Sequence, residues 1–374
     1  MTFIPVSEPL LGQAEKDYVQ QCLDDGWISS EGPFVAEFEE RFAAKVGRRF
    51  GVAVSSGSAA IEVAVAALGI SDEDEVVMPT LTIMSCAAPV VRAGARPVVV
   101  DAEASTWNMD VSQVEACVTS RTRAILAAHL YGLPIDMDPL LELSDRTGIP
   151  IIEDAAEMHG QTYTGRPCGS FGAVSVFSFY PNKLITTGEG GMIVTDDHAL
   201  AEQCRQFRNL FLGSGNERFI HEGLGWNYRM SNLQAALGLG QLERLDEHVA
   251  KKRQIGARYT ELIGTSEFIE LPPARVAYAE SVFWVYGVVL KDSVPFDAAE
   301  AMTRLSDKGV GSRPFFFPIH QQPILKRMGL FENESHPVAE RLAQRGFYIP
   351  SGLTLTDEQI VRVVATLGQV LAEL

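Results

Sequence analysis

The chain has 374 residues, 46% of them hydrophobic, enough for two domains or one large domain with a lobe. Forty-eight acidic residues against 31 basic ones give a net charge of -17 with no Lys/Arg block, which excludes nucleic acid and anionic membrane as natural partners and leaves a small anionic ligand to local donors. Five scattered cysteines form no C-x-x-C pair and seven histidines form no H-x-x-x-H or H-E-x-x-H arrangement, so reduced, mostly buried thiols and no metal site are expected.

The start, Met1 to Glu8, lacks a basic region and a long apolar run, and no segment reaches about eighteen apolar residues, so a soluble cytoplasmic protein is expected. Ala14, Tyr18, Val19 and Leu23 recur at helical spacing up to Asp25, and Gly26 stops the pattern. Trp27 to Pro33 is a turn-rich link in which Trp27 either covers a pocket or pins the next helix, Phe34 to Val46.

Phe50 to Ser58 reads as a small strand ending in a tight turn. The helix after it, Ser58 to Leu68, carries only one charge, Glu62, and is expected to be buried on nearly all sides. Its unpaired first-turn N–H groups, with Gly57 and Ser58 at the entry, make either an anion cup or a plain N-cap. Neither an NTPase loop nor a G-x-G-x-x-G fingerprint is present, which weakens ATP and dinucleotide readings.

From here short apolar runs alternate with helices. Strands at Glu75–Pro79, Arg96–Asp101, Arg123–His129 and Pro150–Asp154 are separated by helices at Met84–Ala93, Asp110–Val118 and Met137–Thr147, which predicts βαβ units. Cys86 reads as core packing. Strands over 175–180 and 191–195 complete an α/β fold with a mostly parallel sheet of about seven strands.

Two runs at the strand ends carry the chemistry. Ile149 to Gly160 places Asp154 and Glu157 at a strand's C-terminal end, where ligands bind in open α/β sheets. Ser175 to Lys183 runs into Tyr180-Pro181, which ends the ladder and leaves Lys183 at its mouth. The glycines of Thr187-Gly-Glu-Gly-Gly191 suit a backbone passing close to a ligand. Lys183 is either a solvated turn lysine or, facing Asp154, the Schiff-base lysine of a pyridoxal phosphate site whose ring nitrogen the Asp holds protonated.

A helix follows Asp196. Gly213-Ser-Gly215 trails that helix rather than a strand, which speaks against a dinucleotide loop. A long helical region reaches Gly264, with a domain boundary near Leu245: a large domain, 1–245 with an N-terminal arm 1–33, and a smaller α+β domain, 246–374. The latter is expected to hold a strand over 281–290 and helices over 297–308, 336–344 and from Thr356.

Six runs in this order (Trp27-Ile-Ser-Ser, Ser56-Gly-Ser-Ala-Ala60, Glu153 to Gly160, Ser178 to Lys183, Thr187 to Gly191, Asn227-Tyr-Arg-Met-Ser-Asn232) resemble the DegT-type family of pyridoxal phosphate-dependent nucleotide-sugar aminotransferases over the full length. His159 to Ser170 and Gly225 to Ala236 are most similar to the members that aminate GDP-4-keto-6-deoxymannose to GDP-perosamine. The resemblance implies a type I aminotransferase fold, L-glutamate as donor, and a homodimer with shared active sites. It makes Lys183 and Asp154 catalytic, assigns Gly57, Ser58 and Ser178 to the cofactor phosphate, and has Asn227 reach the phosphate from the partner subunit. Arg229 and the run Gly311 to His320, with Arg313 and His320 as its polar members, are either the contacts to the sugar nucleotide, an Arg fork for diphosphate and aromatics for the base, or an interdomain packing strip. Two positions depart from the commoner family pattern: Glu157 stands in place of Gln at the ring hydroxyl, and Ile83 in place of an aromatic ring over the cofactor. A UDP- or dTDP-linked keto sugar is the alternative substrate. Lys183, where non-transaminating relatives carry His, and its pairing with Asp154 argue against a dehydratase and against a noncatalytic sensor.

Overall fold

A computed structural model of the chain describes residues 2–213, 215 and 218–373, so Ser214 of the Gly-Ser-Gly triplet lies outside the described residues. In chain order, α1 (Gln13–Asp25) and α2 (Pro33–Lys45) precede β1 (Phe50–Val54), α3 (Gly57–Ala67), β2 (Glu75–Pro79), α4 (Met84–Arg92) and β3 (Arg96–Val100). Then come β4 (Thr122–Ala128), α5 (Asp138–Thr147), β5 (Ile151–Asp154), a small hairpin of β6 (Thr162–Tyr163) and β7 (Arg166–Pro167), β8 (Val174–Ser178), β9 (Gly191–Thr195) and α6 (His198–Arg208).

The seven-stranded sheet has the order β1-β9-β8-β5-β4-β2-β3. Strand β9 is antiparallel to both neighbours, and the other six are parallel to one another. Side chains alternate between two buried faces: Ala53, Ile125 and Ile151 enter one core, and Val54, Leu126 and Ile152 the other. Burial on both faces explains the nearly unbroken apolar strands. It also sends consecutive residues at the end of β5 into different surroundings, which matters for Glu153 and Asp154.

The helix expected over Asp110–Val118 is instead two short 3-10 turns, Val111–Gln113 and Glu115–Cys117. Asp110 takes the Ser112 N–H and the Ser112 and Gln113 side chains, a local alternative to the helical ladder that Val111, Val114 and Val118 do little to oppose. The long helical region is likewise two helices, α7 (Asn232–Glu243), opened by a Ser231/Gln234 capping box, and α8 (Leu245–Ile263), broken at Arg244.

After α8 a second sheet forms from β10 (Ile269–Glu270), β11 (Tyr286–Leu290), β12 (Arg313–Pro314) and β13 (Gly346–Ile349), ordered β10-β11-β13-β12 and antiparallel. The helices α9 (Ala298–Asp307), α10 (Pro323–Arg327), α11 (Pro337–Arg345) and α12 (Asp357–Ala372) complete this unit, with a core of its own around Tyr259, Tyr286 and Phe347. The strand expected from Ser281 begins at Tyr286. The residues before it cross to the first unit, where the Val282 N–H donates to Gly132 O at 2.9 Å.

The N-terminal segment, expected with the large domain, runs along the second unit. Ile4 N–H donates to Gly309 O at 2.9 Å, Gly311 N–H to Ile4 O at 2.8 Å, and Ser351 N–H to Val6 O at 3.0 Å. Lys252 of α8 donates to Ser351 O from a buried position, and burial pulls its amine down to about 7. No helix among the described residues is long and apolar enough to cross a membrane.

Candidate active site

The C-terminal ends of β4, β5 and β8 open into one cavity of about 360 Å³. Strand β8 ends at Ser178, and Tyr180-Pro181-Asn182-Lys183 closes a turn in which the Lys183 N–H donates to Tyr180 O at 2.9 Å. Proline at the second turn position is preorganised for this geometry. The Lys183 side chain is 10% exposed, so it is not the solvated turn lysine. Its Nζ lies 3.9 Å from Glu157 Oε1 and 3.9 Å from the Trp284 ring centroid.

Trp284 belongs to the second unit. Its Nε1 donates to Asn182 O at 2.9 Å, which locks the ring against the lysine turn. The approach depends on Gly132, where a Cβ would sit 2.4 Å from Trp284 N and the backbone has φ +94°. Just before it, Tyr131 adopts φ 57° and gives its N–H to Glu157 Oε2, and its ring stacks on Phe315 at 4.3 Å. Burial raises the Glu157 carboxyl and lowers the Lys183 amine, while the attraction between the two works against both shifts.

The two neighbouring carboxylates of β5 have opposite environments. Glu153 is fully buried and receives His129 Nε2–H at 3.2 Å, Phe171 N–H at 2.8 Å, Gly172 N–H at 3.1 Å, Ser175 Oγ–H at 2.9 Å and the Gly169 N–H. Ile135 N–H donates to His129 Nδ1 at 3.0 Å, so the imidazole proton sits on Nε2. Burial opposes the charge on Glu153, but these donors prevail and hold its carboxyl at about 2, below the usual 4.5. The depressed value contributes stability that is complete above about 4.5 and fades as pH falls toward 2. Replacing Glu153 by Gln is therefore expected to cost on the order of 3 kcal/mol at pH 7. Urea unfolding at pH 7 and pH 3 should show the difference from wild type shrinking in acid.

Asp154 has two neutral donors instead: Ala156 N–H to Oδ1 at 3.0 Å and the Cys86 thiol to Oδ2 at 3.3 Å. Burial keeps its carboxyl above the usual carboxylate value, and the residue lines the cavity with hydrogen-bonding capacity to spare. Such a carboxylate is built to meet a proton-bearing nitrogen.

At the other end of the cavity, Ser56 caps α3 by accepting the Ala59 N–H, and Ser58 Oγ lies 2.6 Å from Ser85 Oγ. Ser178 closes the cup beside Gly57, where a Cβ would lie 2.7 Å from the serine's own Cβ. First-turn N–H groups with three hydroxyls suit a phosphate. Cup, acid and amine thus fit pyridoxal phosphate. At Gly191 a Cβ would meet Ser56 O at 2.4 Å, so the close approach there is to the chain itself, whereas Gly188 has φ +80° and nothing within 4 Å of where its Cβ would be.

Of the remaining sequence candidates, Ile83 stands at the mouth, 45% exposed, and Arg313 lines the cavity from exposed β12. Asn227 and Arg229 lie outside the cavity lining, bonded to each other at 2.9 Å. His320 is a correction. It is buried, with Nδ1 on Thr80 Oγ1 at 2.7 Å and Nε2 on Glu340 Oε1 at 3.0 Å, so no ring nitrogen is free for substrate and the residue ties the two units together. Sequence reasoning missed Ser85, Tyr131 and Trp284, and took Cys86 for packing. Ser85 could have been found from its place in the first turn of α4, whereas nothing local marks Trp284.

The family model for the DegT/DnrJ/EryC1/StrS aminotransferases matches residues 9–368. The chain is 38% identical over 369 residues to the GDP-perosamine synthase of Escherichia coli O157:H7, covering 99% of each. It is 40% identical over 368 residues to that of Caulobacter vibrioides, covering 98% of each. A Streptococcus pneumoniae protein solved in a PLP form has the same fold at a TM-score of 0.91, 25% identity and 99% coverage of both chains. The chain belongs to the DegT/DnrJ/EryC1/StrS aminotransferase family, and its cofactor is pyridoxal phosphate.

Proposed function

We propose that the protein moves an amino group from L-glutamate to the C4 carbonyl of GDP-4-keto-6-deoxymannose, giving GDP-perosamine, as a homodimer whose cavities are each completed by the second copy. The full-length similarity to two GDP-perosamine synthases carries the substrate reading. The dimer reading is supported by exposed apolar residues that a monomer would leave in water, Trp27 and Ile28 after α1 and Phe219 and Leu224 in the loop before α7. Asn227, outside its own cavity, is then free to serve the partner's phosphate cup.

When bound, pyridoxal phosphate supplies an aldehyde that takes up the donor amine and a ring that accepts the electron pair left as the Cα–H bond breaks. Lys183 moves that proton. Burial lowers its amine, which favours the neutral form that can act as a base, and Glu157 beside it can take up or return a proton. Asp154 holds a proton at the ring nitrogen, while Ser58, Ser85 and Ser178 with the start of α3 orient the phosphate. Arg313 offers a planar fork to the diphosphate at the open side.

Incubation with L-glutamate and GDP-, UDP- and dTDP-linked 4-keto-6-deoxy sugars tests the assignment, with mass spectrometry of the products. A 4-amino sugar is expected from the GDP substrate. Amination of only a UDP or dTDP sugar would overturn the substrate while leaving the class intact.

A further inference from the structure

We infer that Cys86 is a positioning residue for this reaction: its thiol, donated to Asp154 Oδ2, fixes the carboxylate in the orientation that meets a protonated ring nitrogen. The inference rests on the assignment of Asp154 to that nitrogen.

Cys86 sits in the first turn of α4 with no exposed surface, and its sulfur is 3.3 Å from Asp154 Oδ2 and 3.3 Å from Thr82 Oγ1. An ionised carboxylate can only accept, so the S–H belongs to Asp154 and the Thr82 hydroxyl must donate to sulfur. The result is a directed chain, Thr82 to Cys86 to Asp154, running from the cavity wall to the acid. The Ala156 N–H holds Oδ1 from the carboxylate's own loop. One local bond leaves the plane free to swing about it, and a second from another element removes that freedom.

The weakness of a thiol donor is part of the function. The adjacent Glu153 shows what several full-strength donors do: five groups saturate its oxygens and make the charge inert. Asp154 receives two neutral donors, one of them sulfur, so it is oriented but not neutralised. A cation or a cluster of amides in place of Cys86 would compete for the charge that the ring nitrogen needs.

The competing view is that Cys86 merely fills space beside Ala87 and Val90 in the apolar core. Four full-length proteins separate the two: wild type, Cys86→Val, Cys86→Ser and Cys86→Ala. Their apo forms are titrated with pyridoxal phosphate, read by quenching of tryptophan fluorescence, since Trp284 lies against Lys183. Valine keeps the bulk and loses the donor, and serine keeps a donor and loses bulk. A positioning role predicts that Cys86→Ser binds within about twofold of wild type, while Cys86→Val and Cys86→Ala bind about three- to tenfold more weakly, the range of one ordinary hydrogen bond. Thermal midpoints of the apo forms should rank the other way, with Val above Ser. Val binding like wild type with Ser weakened overturns the inference. If the Val protein does not fold, Ser against Ala decides: equal affinities overturn it, and tighter binding by Ser supports it. A wild-type protein that binds no pyridoxal phosphate would sink the Asp154 assignment as well, a result distinct from failure of the Cys86 comparison.

Discussion

Replacing Lys183 by alanine is expected to remove amino transfer, with turnover of L-glutamate falling by about 10²- to 10⁴-fold from the lost proton transfer alone. In the proposed mechanism the amine is the base that moves the proton, and the groups around it are poor substitutes. Glu157 is held by the Tyr131 N–H and its carboxyl is raised by burial, so on losing its cation it turns neutral and offers no strong base. The same neutralisation spares the fold, because no uncompensated charge is left buried. Circular dichroism of the variant should therefore match wild type. Single-turnover kinetics give the rate, and a small primary amine such as methylamine, which fits the space vacated beside Trp284, should restore part of it. Turnover within tenfold of wild type without added amine would remove Lys183 from the mechanism.

What the sequence made legible followed from local physics. Apolar runs of strand length alternating with helical spacing announced the parallel sheet, and the Pro181 turn announced that Lys183 leaves a strand end. Asp154 and Lys183 could be paired because both sit at strand exits of one sheet edge. Boundaries failed where side chains compete with the backbone, as Asp110 does, or where a helix breaks without proline or glycine, as at Arg244. His320 was misread because a histidine in an aromatic run looks available, and only three-dimensional packing reveals Thr80 and Glu340 on its two nitrogens. Trp284 was invisible for the complementary reason. Its contact with Lys183 spans a hundred residues of sequence and depends on the bare backbone of Gly132 in a third segment.

The second large effect is expected from Asp154→Asn, a fall in turnover of about 10²- to 10³-fold, the size of losing one preorganised electrostatic partner. Asparagine keeps the shape and can still accept from Cys86 or Ala156, but it carries no charge to hold a proton on the ring nitrogen. Cofactor binding should weaken far less than turnover, since the phosphate cup is built from other residues. Stability should move in the opposite direction from activity. Burial raises the Asp154 carboxyl above its usual 3.8, so between that value and its folded value the native state binds the extra proton and stability declines as pH rises. The asparagine variant escapes that penalty. Its apo form should unfold at a higher urea concentration than wild type at pH 7, with the gain vanishing below about pH 3.8, where the aspartate is neutral in both states. Glu153→Gln predicts the reverse at neutral pH: lost stability, through a carboxylate that does not face the cavity. Two adjacent acids on one strand should thus separate cleanly, and an Asp154→Asn protein that lost stability while keeping its turnover would mean that Asp154 is a structural anion like its neighbour.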